Sequence, residues 1–169
     1  GRALAQWMQH LRAHWGEIRF ESIDSDAHDG LTVQTDVDVR AQIHLGALTP
    51  DDVTVEVSLG TIEPDGTVSR SESASMEGSA TERESVYAYE GTIRCQQSGL
   101  HGYSLRILPK HADLSHPYIP GLVIWSPWRA NMMTTVNSSP YRAQGPTLGR
   151  KEVSYAVRPH RCSPTLRER

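Results

Sequence analysis

The chain has 169 residues, of which 37% are hydrophobic and 22% are charged, which is enough for one domain with a single core but not for two. Its formal net charge is −3, and its longest apolar run, residues 122–125, is far too short to span a membrane. The composition excludes a collagenous or wholly disordered chain, and the amino terminus lacks the layout of a signal peptide.

Charge and cysteine content further restrict the possible functions. Residues 1–125 carry nine basic and eighteen acidic side chains, a net −9, whereas residues 126–169 carry eight and two, a net +6. The tail's arginines are scattered among Pro, Ser and Gly without a helical stripe, so we expect a solvated extension and not a nucleic-acid-binding segment. Cys95 and Cys162 are far apart and lack metal-ligand spacing, which predicts neither a disulfide nor a zinc site and fits a reducing cytoplasm.

The first predicted element is an amphipathic helix over residues 3–14. Apolar residues recur at three- and four-residue steps, and Gly16 follows as a stop; the stripe comprises Leu4, Trp7, Met8, Leu11 and Trp15. An aromatic stripe at this spacing more often marks a packed surface than a ligand platform, so we expect a docking interface. Because the helical pattern is already running at Leu4 in a chain that starts with Gly, we also expect more chain upstream.

Strand patterns follow the helix. Residues 33–45 and 53–59 alternate apolar and polar side chains on either side of the turn at 48–52, which predicts an antiparallel pair. Residues 63–66 form a Pro-Asp-Gly turn, and the Ser- and Glu-rich stretch 69–85 predicts a weak edge strand with a mobile loop.

The remaining strands are predicted at three places. Alternation resumes over residues 86–95 and 103–107, and the apolar run 122–125 predicts a short strand buried on both faces. This interpretation places Trp125 in the core and leaves Trp128 exposed.

The pattern as a whole predicts a mostly β fold. About seven strands at regular spacing, with no helix after the first, are typical of an immunoglobulin-like antiparallel β-sandwich preceded by one amphipathic helix. We therefore divide the chain into a docking helix over residues 1–16, a sandwich domain over 17–126 and a basic, disordered tail over 127–169.

One loop carries the densest set of polar side chains. Two histidines and one aspartate within residues 110–117 could hold a metal or transfer protons, although loops of this kind more often use such residues to form turns. We keep it as a candidate ligand loop, together with one late aromatic residue: Lys110, His111, Asp113, His116 and Trp128. Neither a catalytic nor a metal site is predicted, because no nucleophile elbow, phosphate-binding glycine loop or paired metal motif is present in the sequence.

Three segments resemble the closing part of the shorter bacterial and archaeal α-glucan phosphorylases. Residues 46–57 contain Leu-Thr-Pro-Asp-Asp-Val, residues 98–114 run from Ser-Gly-Leu-His-Gly-Tyr to Leu-Pro-Lys-His-Ala-Asp-Leu, and residues 116–125 begin with His-Pro and end in Trp. The phrases occur in the same order as in that family, and the resemblance covers about residues 3–126. The tail after Trp128 departs from the family pattern, in which the chain ends soon after the final Trp.

The resemblance implies a parent enzyme that uses pyridoxal phosphate, held by a Lys, to split α-1,4-glucan with orthophosphate and release glucose 1-phosphate. The only lysines here, Lys110 and Lys151, lie in surroundings unlike those of the cofactor Lys, so no catalytic or cofactor-binding residue is carried over. We expect an accessory domain that packs on the catalytic body through the Trp7/Trp15 helix, with α-glucan as a further expected partner. The alternative is a freestanding immunoglobulin-like module that binds glycan or protein.

Overall fold

The computed structural model describes residues 1–28 and 30–135. A helix, α1 (Arg2–His14), is followed by a 3₁₀ turn (Trp15–Glu17). Nine strands follow within the described residues: β1 (Arg19–Ser25), β2 (Leu31–Thr32), β3 (Thr35–His44), β4 (Val53–Ile62), β5 (Val68–Ala80), β6 (Val86–Cys95), β7 (Gly99–Pro109), β8 (Ile124–Trp125) and β9 (Arg129–Thr135). The prediction of a mostly β fold with one amino-terminal helix is confirmed.

The strands form one curled sheet with two halves. Their order is β1-β3-β6-β5-β4-β7-β9-β2, β8 also pairs with β7, and every pairing is antiparallel except that of β2 with β9. Residues 68–76 of β5 pair with β4, whereas residues 77–80 pair with β6. The long strand β5 therefore joins a first half (β1, β3, β6) to a second half (β4, β7, β8, β9, β2).

The apolar faces of both halves form the core. The predicted alternation in β3 and β4 is confirmed, since every second side chain is buried: Val37, Val39, Ala41 and Ile43 in β3, and Val53, Val55, Val57 and Leu59 in β4. Side chains from β6 and β7, including Ile93, Leu105 and Ile107, complete the same cluster. Burial of this apolar surface is the main stabilising contribution to the fold.

The interpretation of residues 69–85 as an edge strand followed by a loop agrees with the structure in its main point. Among the described residues, β5 lies at the edge of each half, because its residues 68–76 pair only with β4 and its residues 77–80 pair only with β6. The strand is longer than the sequence indicated, with thirteen residues, and a small residue allows it to pass from one half to the other: a Cβ on Gly91 of β6 would lie 2.7 Å from Cγ of Met76. Strand pairing and this close approach thus outweigh the low apolar content that the sequence showed.

The carboxy-terminal boundary also differs from the predicted one. β8 comprises only two residues, and Trp125 is 38% exposed instead of lying in the core, while Trp128 is half-buried instead of exposed. The sheet continues beyond residue 126, because β9 pairs with β7. Residues 136–169 of the predicted disordered tail, with Cys162 and Lys151, lie outside the described residues.

Helix α1 packs on the chain's own sheet. Leu11 and Trp15 are buried in the core cluster, and Trp7 and Met8 pack half-buried against it. Two of the five residues predicted to dock on another body are therefore covered by the chain's own sheet, whereas Leu4, Trp7 and Met8 remain partly exposed. Within the described part of the chain, no helix is both long and apolar enough to cross a membrane.

Candidate functional site

The predicted ligand loop, residues 110–117, connects the sheet to helix α1. The backbone N–H of Lys110 donates to the carbonyl oxygen of Asp52 at 2.9 Å, and Nδ1 of His111 accepts a hydrogen bond from the backbone N–H of Asp113 at 3.1 Å. The His111 ring packs at a tilt against Trp7, with 4.7 Å between ring centroids. These residues form turns and hold the helix, which is the structural role that such loops commonly have.

Asp52 is the centre of this junction. Its Oδ1 accepts a hydrogen bond from Nε1 of Trp7 at 2.9 Å, and its Oδ2 accepts two from Thr49, from the backbone N–H at 2.9 Å and from the hydroxyl at 3.0 Å. Partial burial by itself raises the pKa of Asp52, but the hydrogen bonds from Thr49 and Trp7 outweigh it and hold this pKa below its usual value. The ionised carboxylate is thus the form that fastens α1 to the turn before β4.

Replacement of Asp52 by Asn is expected to destabilise the chain in a pH-dependent way. Because the folded-state pKa lies below the unfolded value of 3.8, the carboxylate contributes stability above that pH, and this contribution is lost as the pH falls through the folded-state pKa. Chemical denaturation at several pH values should show a difference between the parent chain and Asp52→Asn that is largest near neutrality and narrows under acid. Asp113→Asn, an exposed change in the neighbouring loop, serves as the control and should show no such narrowing.

The five predicted loop residues do not form one site. His116 and Asp113 are exposed, whereas Trp128 lies beside Gly60, toward the opposite end of β4 from Asp52. A Cβ on Gly60 would lie 3.0 Å from the nearest ring carbon of Trp128. No group of three or more His, Cys, Asp or Glu side chains among the described residues is arranged to hold a metal ion.

A different cluster lies on the outer face of the second half of the sheet. Aromatic rings and guanidinium groups alternate in the order Trp128, Arg70, Trp125, Arg106, Tyr118, and we call this set the aromatic–arginine ladder. The Arg70 guanidinium carbon lies 4.2 Å from the ring centroid of Trp125 and 5.4 Å from that of Trp128. That of Arg106 lies 5.4 Å from Trp125 and 5.2 Å from Tyr118. All four distances are within the range of cation–π attraction.

Strand register explains why these side chains meet. Arg106 of β7 lies between Glu56 of β4 and Trp125 of β8, so all three project from the same face. Glu56 binds Arg106 through an ion pair of 2.5 Å, and Arg106 also donates to the hydroxyl of Tyr118. Arg70 of β5 is the partner of Gly60, whose lack of a side chain leaves room for Trp128.

The floor beneath the ladder is made of small side chains. Ser58 of β4 and Ser104 of β7 are cross-strand neighbours on the outer face, and both are fully buried. Ser126 anchors the segment after β8, because its Oγ accepts a hydrogen bond from Leu105 N–H at 2.8 Å and its own N–H donates to the Leu105 carbonyl oxygen at 2.8 Å. Residues 118–128 are therefore fixed onto the sheet and not loosely attached.

The ladder was missed by the sequence interpretation. Its members come from β5, β7 and the 118–128 segment, and only the pairing of β4 with both β5 and β7 brings Arg70 and Arg106 to one surface. The sequence contained one local indication of the ladder: two tryptophans lie three residues apart, and arginines occupy outward positions of the predicted strands. A binding partner could contact the exposed ring edges and the guanidinium N–H donors of the ladder. The ring faces are less available, because each guanidinium already covers part of one.

A second surface feature is a polar groove of about 580 Å³ on the outer face of the first half. It is lined by side chains from β3, β5 and β6, including Asp38, Arg40, Glu77, Glu90 and Thr92. Glu77 and Glu90 lie directly opposite one another, a pairing of like charges that disfavours close packing. Nothing in the groove beyond this acidic lining points to a ligand.

Comparison with known families assigns most of the described residues to one family. The family model described as the glycogen phosphorylase C-terminal domain matches residues 15–127, about two thirds of the chain. A search of curated proteins found no match. The chain therefore belongs to the family of glycogen phosphorylase C-terminal domains.

Proposed function

We propose that this chain is an accessory, non-catalytic domain of an α-glucan phosphorylase of the shorter bacterial and archaeal type. The observation that carries the proposal is the family match, which begins at Trp15, where α1 meets the core, and ends at Pro127, beside the ladder. In this proposal the parent enzyme is cytoplasmic and transfers glucosyl units from α-1,4-glucan to orthophosphate, which yields glucose 1-phosphate. The domain stabilises the catalytic body of that enzyme.

The parent's expected cofactor, pyridoxal phosphate, does not fit the residues described here. A cofactor Lys needs an enclosed site with donors for the phosphate group, but Lys110 is exposed. The backbone N–H groups of its loop are already used, because that of Lys110 donates to the Asp52 carbonyl oxygen and that of Asp113 donates to Nδ1 of His111. We propose that the catalytic body holds the cofactor and that no step of the reaction takes place on residues 1–28 and 30–135.

The proposal is tested on the endogenous protein. An antibody against residues 30–125 should capture a polypeptide several times larger than 18.8 kDa that releases glucose 1-phosphate from α-1,4-glucan and orthophosphate. The purified 169-residue chain, assayed in parallel, should release none. Capture of an 18.8 kDa polypeptide that is neither active nor bound to an active enzyme would refute the proposal.

A second candidate function is a freestanding module that binds glycan or protein. The exposed rings of Trp125 and Tyr118 favour it, since Trp and Tyr are enriched at binding interfaces. Titration of the 169-residue chain with maltooligosaccharides distinguishes the two candidates: a glycan-binding module should shift its Trp fluorescence, whereas a domain specialised for protein contact should not.

A further inference from the structure

The ladder combines the features of a protein-binding surface. Tyr118 is 55% exposed and Trp125 38% exposed, and within the described residues they are the only large apolar side chains with this degree of exposure. Trp, Tyr and Arg are the residue types that most often dominate the energy of protein–protein contacts. The segment that presents them is fixed by Ser126, so little conformational entropy would be lost on binding.

The charge of the ladder limits what it can bind. Glu56 neutralises Arg106, whereas Arg70 forms no ion pair with any other described residue. The ladder therefore carries one uncompensated positive charge on a chain whose residues 1–125 have a net charge of −9. A partner surface that supplies a carboxylate opposite Arg70 would be complementary to the ladder and repelled by most of the remaining surface.

Two other occupants fit less well. A glucan chain stacks on open ring faces, but guanidinium groups lie over Trp125 from Arg70 and Arg106 and over one face of Tyr118. The chain's own residues 136–169 carry seven basic and two acidic side chains, so this segment would be repelled by Arg70. Oxidative footprinting of Tyr118 can detect either a glucan chain or residues 136–169 on the ladder.

The ladder lies where a catalytic body that is connected to this domain through α1 could contact it. Trp7 of α1 contacts Asp52 at the start of β4, and Glu56, which binds Arg106, lies four residues further along the same strand, a distance of about 13 Å. Since the apolar stripe of α1 is buried or half-buried, Tyr118 and Trp125 of the ladder are the large exposed aromatic side chains that the described residues offer to such a body.

We propose that the aromatic–arginine ladder is the surface through which this domain contacts the catalytic body of its parent enzyme, with Arg70 opposite an acidic side chain of that body. This inference rests on the proposed function, because it requires the parent to be a larger phosphorylase. It replaces the α1 stripe with the outer face of the second half of the sheet as the docking interface.

Oxidative footprinting tests the proposal on the intact parent enzyme. Hydroxyl radicals should oxidise Tyr118 and Trp125 readily in the 169-residue chain, and most of this oxidation should be lost in the parent. Tyr87, half-buried in the first half of the sheet, is the internal reference and should react alike in both. Equal oxidation of Tyr118 in the two proteins would overturn the proposal, while the mass and activity of the captured enzyme would still decide the proposed function separately.

Charge reversal supplies the second measurement. Arg70→Glu in the parent should weaken docking by at least about tenfold and restore oxidation of Tyr118. Arg83→Glu is the control: it reverses the charge of an exposed arginine in the loop after β5, breaks only one ion pair among the described residues, that of 3.8 Å with Glu21, and should leave the protection intact. Circular dichroism of both variants of the 169-residue chain verifies folding. If Arg70→Glu folds and protection persists, the assignment of Arg70 is wrong.

Two additional results would also refute the proposal by naming another occupant. Protection of Tyr118 by maltooligosaccharide in the 169-residue chain would identify a glucan site. An increase in Tyr118 oxidation when residues 136–169 are removed from the isolated chain would show that the tail covers the ladder.

Discussion

Replacement of Trp15 by Ala is expected to reduce the free energy of unfolding of the 169-residue chain by about 3–5 kcal/mol. The indole ring is 7% exposed and belongs to the core cluster, together with Leu11 of α1 and side chains of β3. Truncation would leave a cavity between the helix and the sheet that the rigid strands cannot close. Because a domain of this size is stable by roughly 5–15 kcal/mol, a loss of this magnitude should be evident in urea denaturation.

The control for this prediction is Trp15→Phe. The indole N–H of Trp15 is buried without a hydrogen-bond partner among the described residues, so Phe removes an unsatisfied donor while keeping most of the ring. We expect Trp15→Phe to cost far less than Trp15→Ala. If the helix were a docking element for another body, both variants of the isolated chain would unfold at the same urea concentration as the unmodified protein, and the structural assignment of α1 would be wrong.

The packing of α1 on the chain's own sheet shows what an apolar helical stripe can and cannot predict. The spacing of Leu11 and Trp15 correctly indicated a helix that buries one face, because 3.6-residue periodicity is a local property of the chain. The surface that buries this face is determined by tertiary structure, and the sequence does not distinguish the chain's own sheet from a separate body. The hydrogen bond from Trp7 to Asp52, 45 residues away, belongs to this second kind of information.

The strands, like the helix, were predictable where local periodicity determines them and not where tertiary structure does. Alternation identified β3 and β4 because one face of each strand packs in the apolar core. β1 has weak alternation and was missed, because its place in the sheet depends on its pairing with β3. The switch of β5 from pairing with β4 to pairing with β6 was likewise not visible in the sequence. The aromatic–arginine ladder combines both difficulties: it requires the register of β5, β4, β7 and β8 together.

Ser58 provides the sharpest test of the covered outer face. From alternation alone, Ser58 is an outward, solvent-facing position of β4 at which a larger side chain should be tolerated. In the structure it is fully buried beneath the ladder, and its hydroxyl lies 3.0 Å from that of Ser73 on β5. Ser58→Leu should therefore overpack the floor of the ladder and reduce the free energy of unfolding by about 1–3 kcal/mol.

Ser58→Leu should also displace the rings of Trp125 and Trp128 above it. A general loss of stability would not produce this effect in the folded chain. Trp125 and Trp128 should become more accessible to acrylamide under conditions where circular dichroism shows the chain to be fully folded. Ser75→Leu is the matched control, because Ser75 occupies an exposed position opposite Glu56 on β5; it should change stability by no more than about 0.5 kcal/mol. If Ser58→Leu changes the free energy of unfolding as little as Ser75→Leu does, the ladder does not cover β4. The proposal that the ladder contacts the catalytic body would then lose its structural basis.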